Sequence, residues 1–194
     1  MRRPVRPTLA PVAHVLFSTS FGECGLAWTP RGLAWVQLPD STPEATRARM
    51  LERAAARPPG DPAGAPPAWV VEAMARIAAH LDGKDEDLST IPLDMATVPP
   101  FFRRVYEEAR AVPRGEVRTY ASLAAAAGSP AATRAVGQAM ARNPWPLVVP
   151  CHRVVGSAGK PGGFSAPGGL DTKARLLALE GASFIVAPAR EAKG

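Results

Sequence analysis

The stretch Asn143-Pro-Trp-Pro-Leu-Val-Val-Pro-Cys-His-Arg-Val-Val-Gly156 sets a cysteine beside a histidine, between an apolar run and a glycine-rich loop. A thiolate is a strong nucleophile, but a cysteine with an ordinary pKa of about 8.5 needs a nearby base or positive charge to form one at neutral pH. Cys151 is therefore a candidate nucleophile and His152 its candidate base. Taken alone, Cys151 is also explained by a buried structural thiol. In an extended segment the two side chains would point to opposite faces, so a bridging water or a local turn must link them.

Length and composition indicate one domain of moderate size or two small ones. The chain has 194 residues, 46% of them hydrophobic and 21% charged. No run approaches the roughly 20 apolar residues of a membrane span, and the basic residues 1–7 are not followed by the apolar core of a secretory signal. Because a disulfide between Cys24 and Cys151 would consume the nucleophile, we expect reduced thiols and a cytoplasmic protein. We expect no metal site, since no pair of ligands has the usual close spacing, but a zinc site formed by Cys24 and the histidines stays an alternative.

The net charge of +6 is unevenly distributed along the chain. Residues 1–98 contain 10 basic and 11 acidic side chains, whereas residues 99–194 contain 13 basic and 6 acidic ones. The basic excess lies entirely in the half that carries Cys151. Such a field favours a polyanion such as DNA, although a solvated basic surface explains the charge equally well.

Residue patterning predicts strands and helices in the first half of the chain. Short apolar runs separated by turn residues predict a hairpin or meander within residues 14–38. A capping threonine, a proline at the first helical position and apolar residues at helical spacing predict two helices. The remaining patterns predict a loop, a further strand and a linker. In chain order these are helix 42–56, loop 57–67, helix 68–81, strand 88–93 and linker 95–100.

The second half is predicted to be mainly helical, with helices at residues 100–111, 120–128 and 131–142. The last two are joined by a tight Gly-Ser-Pro turn, in which Ser129-Pro130 is expected to cap the third helix, and together they form a helix-turn-helix arrangement. Arg134, Gln138 and Arg142 lie at helical spacing on one polar face. An ordinary amphipathic helix would also show such a face. The turn residues and the basic charge favour contact with DNA.

The string Pro150-Cys-His-Arg-Val-Val155 resembles the acceptor-cysteine motif of the O6-alkylguanine-DNA alkyltransferases, also called methylated-DNA–protein-cysteine methyltransferases. The resemblance is strong over residues 99–182 and weak over residues 12–95. It implies an α/β protein with an N-terminal domain at 12–95, a small ribonuclease H-like β-sheet with helices. It also implies a C-terminal helical domain at 99–187 with a winged-helix/helix-turn-helix DNA-binding module.

The resemblance also implies an activity, direct-reversal DNA repair by a single-turnover enzyme. A nucleotide carrying O6-alkylguanine, and by extension O4-alkylthymine, would be flipped out of the duplex, and its alkyl group would pass irreversibly to Cys151. No cofactor is implied. The partner implied is double-stranded DNA containing alkylated guanine, and we expect a monomer with no membrane association.

Site residues follow from the resemblance position by position. Cys151 matches the alkyl acceptor, His152 the water-mediated base and Glu180 its orienting partner, although spacing alone explains Glu180 equally well as a surface charge at a helix end. Asn143 matches the hinge asparagine, and Tyr120 matches the tyrosine that helps turn the nucleotide and contacts the base.

The remaining matches concern DNA contact and the pocket. Arg134 lies seventeen positions before Cys151, as does the arginine that fills the gap left by the flipped nucleotide. Lys173 matches a basic residue that opens the last helix. The other expected DNA contacts are Ala132, Thr133, Ala135, Gln138 and Arg142. The expected pocket residues are Tyr120, Trp145, Val154, Phe164 and Ser165, the last through its backbone N–H.

The sequence departs from the family pattern at three places. Phe164 stands where the family commonly has tyrosine, so one hydroxyl donor is missing. The loop 162–169 is two residues longer than usual, which leaves open whether Ser165 or a neighbouring N–H approaches guanine O6. Thr133 replaces a small alanine. Phe164 and the longer loop predict a roomier and less polar pocket, whereas Thr133 is a mild change.

Three other functions compete with alkyl transfer. An alkyltransferase-like protein would bind lesions without turnover, but such proteins lack the acceptor cysteine. A helix-turn-helix regulator would not need the Pro-Cys-His-Arg string, and a cysteine hydrolase would not need the basic helix.

Overall fold

The computed structural model describes residues 10–58 and 65–182. The basic start at residues 1–7, part of the expected loop 57–67 and the last five residues of the expected 99–187 domain lie outside them. Among the described residues, no helix combines the length and the apolar character that a membrane crossing demands.

The N-terminal part contains a three-stranded antiparallel sheet with two helices. Strands β1 (Ala13–Thr19), β2 (Gly22–Thr29) and β3 (Gly32–Gln37) follow each other as a meander, which confirms the predicted strands. Helices α1 (Pro43–Ala55) and α2 (Ala68–Leu81) follow. The hydroxyl of Thr42 accepts a hydrogen bond from Ala45 N at 3.1 Å, which is the expected N-cap of α1.

The predicted strand at residues 88–93 is wrong. Leu88–Thr90 forms one turn of 3-10 helix, because the Asp87 carboxylate accepts from Ser89 N at 2.8 Å and favours a turn. Leu93 alone pairs with the sheet, as an isolated bridge to Leu33. The backbones of Gly32 and Pro92 approach so closely that a Cβ added at Gly32 would lie 2.7 Å from the Pro92 carbonyl, so only glycine fits there.

The C-terminal part is mainly helical, as predicted. Its helices are α3 (Pro100–Arg110), α4 (Tyr120–Ala126), α5 (Thr133–Ala141) and α6 (Gly169–Leu179). A short parallel pair, β4 (Arg118–Thr119) and β5 (Val154–Val155), lies beside them. The chain therefore has the mixed α/β fold that the sequence predicts.

The turn between α4 and α5 differs from the predicted one where helix α5 begins. Gly128 adopts a left-handed backbone with φ of 73°, as a helix-closing glycine does. The third helix does not begin at residue 131 under a Ser129 cap, and that prediction is wrong. Helix α5 starts at Thr133, because Ser129 offers its backbone carbonyl to Ala132 N at 2.8 Å and so makes one more turn first.

The two parts of the chain share one apolar core. Trp145 is the main link, since its indole N–H donates to the carbonyl of Leu33 in β3 at 2.7 Å and its ring meets Tyr106 edge-on. Next to it, Val36 N donates to Pro144 O at 2.8 Å. The segment that leads to Cys151 is thus fixed to the edge of the N-terminal sheet.

Candidate active site

Cys151 begins a single turn of 3-10 helix, Cys151–Arg153, directly after Pro150. Its backbone N–H donates to Val149 O at 2.8 Å. Successive residues of such a helix are about 120° apart, not on opposite faces as in a strand. The local turn therefore lets Cys151 face a cavity while His152 points into the protein.

The cavity has a volume of about 790 Å³, and the cysteine forms part of its wall. Its other walls come from α4, α5 and the glycine-rich loop. It brings together five residues that the sequence singled out: Tyr120, Thr133, Arg134, Phe164 and Ser165. Ser165 also lines a second, smaller cavity of about 100 Å³, which it shares with Asn143 and Cys151.

Two expected pocket residues lie elsewhere. Trp145 is 1% exposed and packs in the core, because its N–H is used by the carbonyl of Leu33. Val154 is fully buried in β5. Neither side chain is among those that line the large cavity; both lie in the core, and their expected contact with the substrate stays a prediction.

Glu180 accepts four hydrogen bonds in a buried position. His152 Nε2 donates to Oε1 at 2.8 Å, and Arg153 donates through Nε to Oε2 at 2.8 Å and through Nη2 to Oε1 at 2.9 Å. The fourth donor is His80 Nε2, at 3.0 Å from Oε1. Burial alone would raise the pKa of Glu180, but these donors outweigh it and hold the pKa well below its usual range.

The Glu180 carboxylate fixes the tautomer of His152. An ionised carboxylate only accepts, so His152 Nε2 carries the proton and Nδ1 of the neutral ring carries a lone pair. Nδ1 is buried, with no hydrogen-bond partner in the part of the chain that the structure describes. Burial lowers the pKa of His152 by more than Glu180 raises it, so the ring is neutral at rest. A neutral ring with a free lone pair can accept a proton.

Cys151 is a thiol at rest. Burial raises its pKa, against opposing effects from the Asn143 side chain, the charge of Lys173 and nearby backbone N–H groups. Such a thiol needs a base in order to react. His152 has the protonation state that this task requires.

Asn143 joins the end of α5 to the active-site segment. Its amide Nδ2 donates to Val149 O at 2.8 Å, and its Oδ1 accepts from Trp145 N at 2.9 Å. Two hydrogen bonds from one side chain fix the turn by which the chain leaves the helix and returns to the cysteine.

Lys173 is fully buried in α6 and points toward the glycine-rich loop. Its Nζ donates to Val154 O at 2.6 Å and to Pro161 O at 2.5 Å. Burial lowers its pKa to about 8. The ammonium thus ties β5 to the loop that closes the cavity.

Tyr120 lies against the same loop. Its hydroxyl donates weakly to Gly163 O at 3.4 Å, and burial raises its pKa. Gly162 has φ of 70°, and an added Cβ would lie 2.7 Å from the tyrosine ring. The glycine therefore gives the ring its place in the cavity wall.

Helix α5 presents a polar face to solvent. Thr133, Arg134, Gln138 and Arg142 are exposed, whereas the core face of Val136, Ala139 and Met140 is buried as the spacing predicts. Ala132 and Ala135 are half-buried beside the exposed face. Arg134 belongs to both surfaces, because it also lines the cavity.

The sequence did not reveal His80 and Arg153 as members of the site. Arg153 lies inside the quoted string, but its role depends on Glu180, 27 positions away. His80 lies 100 positions from Glu180. One signal pointed to it, since it falls on the apolar face of α2, where a buried polar side chain must find a partner. With His80 and His152 both bound to Glu180, the zinc alternative at Cys24 loses support.

Comparisons with known proteins agree with this geometry. The family model described as "6-O-methylguanine DNA methyltransferase, DNA binding domain" matches residues 100–182. The methylated-DNA–protein-cysteine methyltransferase of Methanothermobacter thermautotrophicus is 40% identical over 118 residues, which are 61% of this chain and 65% of that protein's length. The crystal structure of the Mycobacterium tuberculosis O6-methylguanine methyltransferase is 31% identical, with a TM-score of 0.64 over 92% of this chain and 96% of that one. The protein in the crystal structure of Mycobacterium tuberculosis OGT in complex with DNA is 30% identical, with a TM-score of 0.64 over 87% of this chain and 92% of that one.

Proposed function

Because this chain belongs to the O6-methylguanine-DNA methyltransferase family, we propose that it repairs alkylated DNA by moving the alkyl group from guanine O6 irreversibly to Cys151. The observation that carries the proposal is the place of Cys151 in the wall of a cavity that also reaches the exposed helix α5. A nucleobase that leaves DNA bound on α5 would therefore enter the cavity next to Cys151.

The proposed reaction is a single displacement in which every proton is accounted for. The thiol proton passes through a bridging water to Nδ1 of His152, and Glu180 stabilises the imidazolium that forms. The sulfur of Cys151 bonds to the alkyl carbon as the bond from that carbon to O6 breaks. Guanine leaves with the electron pair and takes up a proton, for which the Tyr120 hydroxyl in the cavity wall is the proposed donor, and solvent carries the imidazolium proton back to the tyrosinate. The thioether is stable, so each molecule acts once and no cofactor is consumed.

Access to O6 requires the damaged nucleotide to leave the duplex, at a cost of a few kcal/mol. We propose that Arg134 fills the gap, since it is exposed on α5 and also lines the cavity. Gln138, Arg142 and Thr133 lie on the same exposed face and would contact the strands, with Ala132 and Ala135 allowing close approach. The basic excess of residues 99–194 suits a DNA partner.

The pocket composition supports a broad choice of lesion. Phe164 supplies an apolar wall without a hydroxyl, and the backbone N–H of Ser165 is the proposed contact to O6. The cavity of about 790 Å³ lies in the upper range for small-molecule sites. O4-alkylthymine is therefore a proposed second substrate.

Finer features of the fold and environment follow the same proposal. The β4–β5 pair beside α4 and α5 supports a winged-helix module, and the sheet with α1 and α2 supports a ribonuclease H-like N-terminal domain. Cys24 and Cys151 are both free, which supports a reducing, cytoplasmic setting.

A titration with a duplex that carries one O6-methylguanine tests the proposal. The lesion should disappear in proportion to the protein added, and repair should stop at one lesion per protein molecule. A Cys151→Ser variant should bind the duplex but leave the lesion in place. Lesion binding by the wild type with the lesion unchanged would favour the alkyltransferase-like alternative. Continued turnover would favour a hydrolase.

A further inference from the structure

The relay carboxylate has a donor from the N-terminal part of the chain. His80 lies in the last turn of α2, and its Nε2 is 3.0 Å from Glu180 Oε1. The side chains are 1% and 0% exposed, so no water competes for this contact. The family model, which covers residues 100–182, does not include this residue.

Arg114 lies against the second ring nitrogen of His80 and bears on its tautomer. Its Nη1 lies 3.5 Å from His80 Nδ1, and a guanidinium only donates, so Nδ1 must be the unprotonated nitrogen. Nε2 then carries the single proton and donates it to Glu180. Three further hydrogen bonds, to the carbonyls of Gly83, Lys84 and Leu179, hold the Arg114 guanidinium in place.

The two carboxylate oxygens of Glu180 accept unequal numbers of hydrogen bonds. Oε1 accepts from His80, His152 and Arg153, whereas Oε2 accepts from Arg153 alone. A carboxylate oxygen has about two lone-pair sites, so three donors compete for the charge on Oε1. Loss of His80 would leave Oε1 with two donors, His152 and Arg153.

We propose that His80 is a positioning residue of the alkyl-transfer site, which sets the basicity of His152 by sharing its carboxylate oxygen. The inference rests on the proposed function, because it gives the N-terminal part a role in the transfer reaction. The charged or titratable groups around His80 are Arg114 at Nδ1 and Glu180 at Nε2, with His152 and Arg153 beyond the carboxylate.

The proposal predicts a change in pH dependence when the donor is lost. Without His80, Oε1 carries more charge toward His152, and the imidazolium is stabilised. His152 then stays protonated up to a higher pH, and it can accept the thiol proton only above its raised pKa. The acid limb of the rate profile should move upward by about half a pH unit or more, as expected when a hydrogen bond to a charged group changes.

Three substitutions separate this role from simple packing. His80→Asn is too short to reach Glu180, His80→Gln can donate an amide N–H to the same oxygen, and His80→Phe keeps the ring volume without a donor. His14→Gln, at an exposed histidine of β1, is the matched control. Thermal unfolding identifies the variants that fold, and the Asn and Gln pair carries the test if the Phe variant does not.

Two reactions are followed against pH. The first is transfer from a duplex containing O6-methylguanine, and the second is carboxamidomethylation of Cys151 by iodoacetamide, measured on its peptide by mass spectrometry. The second reaction needs no DNA, so it reports on His80 even if the proposed repair activity fails in the wild type. That failure would appear in the first reaction alone.

We expect His80→Asn and His80→Phe to shift the acid limb upward and to slow modification about threefold at a pH on that limb, where half a pH unit corresponds to about a threefold change in rate. His80→Gln and His14→Gln should keep the wild-type profile. Equal losses in the Asn and Gln variants with an unchanged profile would show that His80 only fills space. A wild-type profile in folded His80→Asn would also overturn the proposal.

Discussion

Replacing Glu180 by glutamine should destabilise the folded protein strongly. The change keeps the shape of the side chain but removes its charge, and the Arg153 guanidinium, 9% exposed, loses its counter-ion. One of the two terminal atoms also becomes an NH₂ group that faces donors from His152, Arg153 or His80. Removing one partner of a buried ion pair costs about 3–5 kcal/mol, and we expect a loss of that size in the free energy of unfolding at pH 7.

The loss should depend on pH in a defined direction. The folded-state pKa of Glu180 lies below the unfolded value of about 4.3, so the stabilisation is present above that value and is lost as the pH falls toward the folded pKa. The difference between wild type and Glu180→Gln should therefore be constant above about pH 5 and shrink below about pH 4.

Urea unfolding of both proteins across this pH range measures the effect. Asp94→Asn is a matched control, because Asp94 is also a buried carboxylate bound to an arginine. Its partner Arg31 is half exposed and can be rehydrated, so the control should lose less than Glu180→Gln. A Glu180→Gln loss below about 1 kcal/mol, or a difference that does not change with pH, would refute the assigned charge network.

The other predictions concern the walls of the cavity. Gly162→Ala should lower the transfer rate and destabilise by about 1 kcal/mol or more, since it adds a Cβ at positive φ against Tyr120, and stopped-flow rates with urea unfolding would show it. Arg134→Ala should slow transfer from duplex DNA far more than from free O6-benzylguanine, and an equal loss on both substrates would contradict its role in flipping. Phe164→Tyr should raise the rate on methylguanine by lowering the activation free energy by no more than about 1–2 kcal/mol, and it should help benzylguanine less. An unchanged ratio of the two second-order rate constants would contradict this prediction.

The sequence was sufficient for features that depend on local pattern. The Thr42-Pro43 start of α1, the apolar spacing of α2 and the turn residues between the strands each specify an element through neighbours a few residues away. The string at Cys151 likewise contains both the proposed nucleophile and the proposed base. Buried Val136, Ala139 and Met140 in α5 follow from helical spacing alone.

Features that depend on distant partners could not be read from the sequence. Trp145 is in the core because the carbonyl of Leu33, 112 positions away, accepts its N–H. The 88–93 segment has strand-like residues, but a side-chain cap from Asp87 favours a turn. His80 meets Glu180 only after α2 packs against the C-terminal part. In each case the structure depends on which carbonyl, N–H or carboxylate group pairs with a polar atom.

Peptide mapping by mass spectrometry after mixing with one equivalent of O6-methylguanine duplex tests the central claim most directly. The peptide containing Cys151 should gain one methyl group in place of the thiol hydrogen, with guanine restored in the DNA. The peptide containing Cys24 should be unchanged, since that thiol is buried in β2 and burial raises its pKa to about 11. Methyl groups on Cys24, or restored guanine with an unmodified Cys151, would contradict the account.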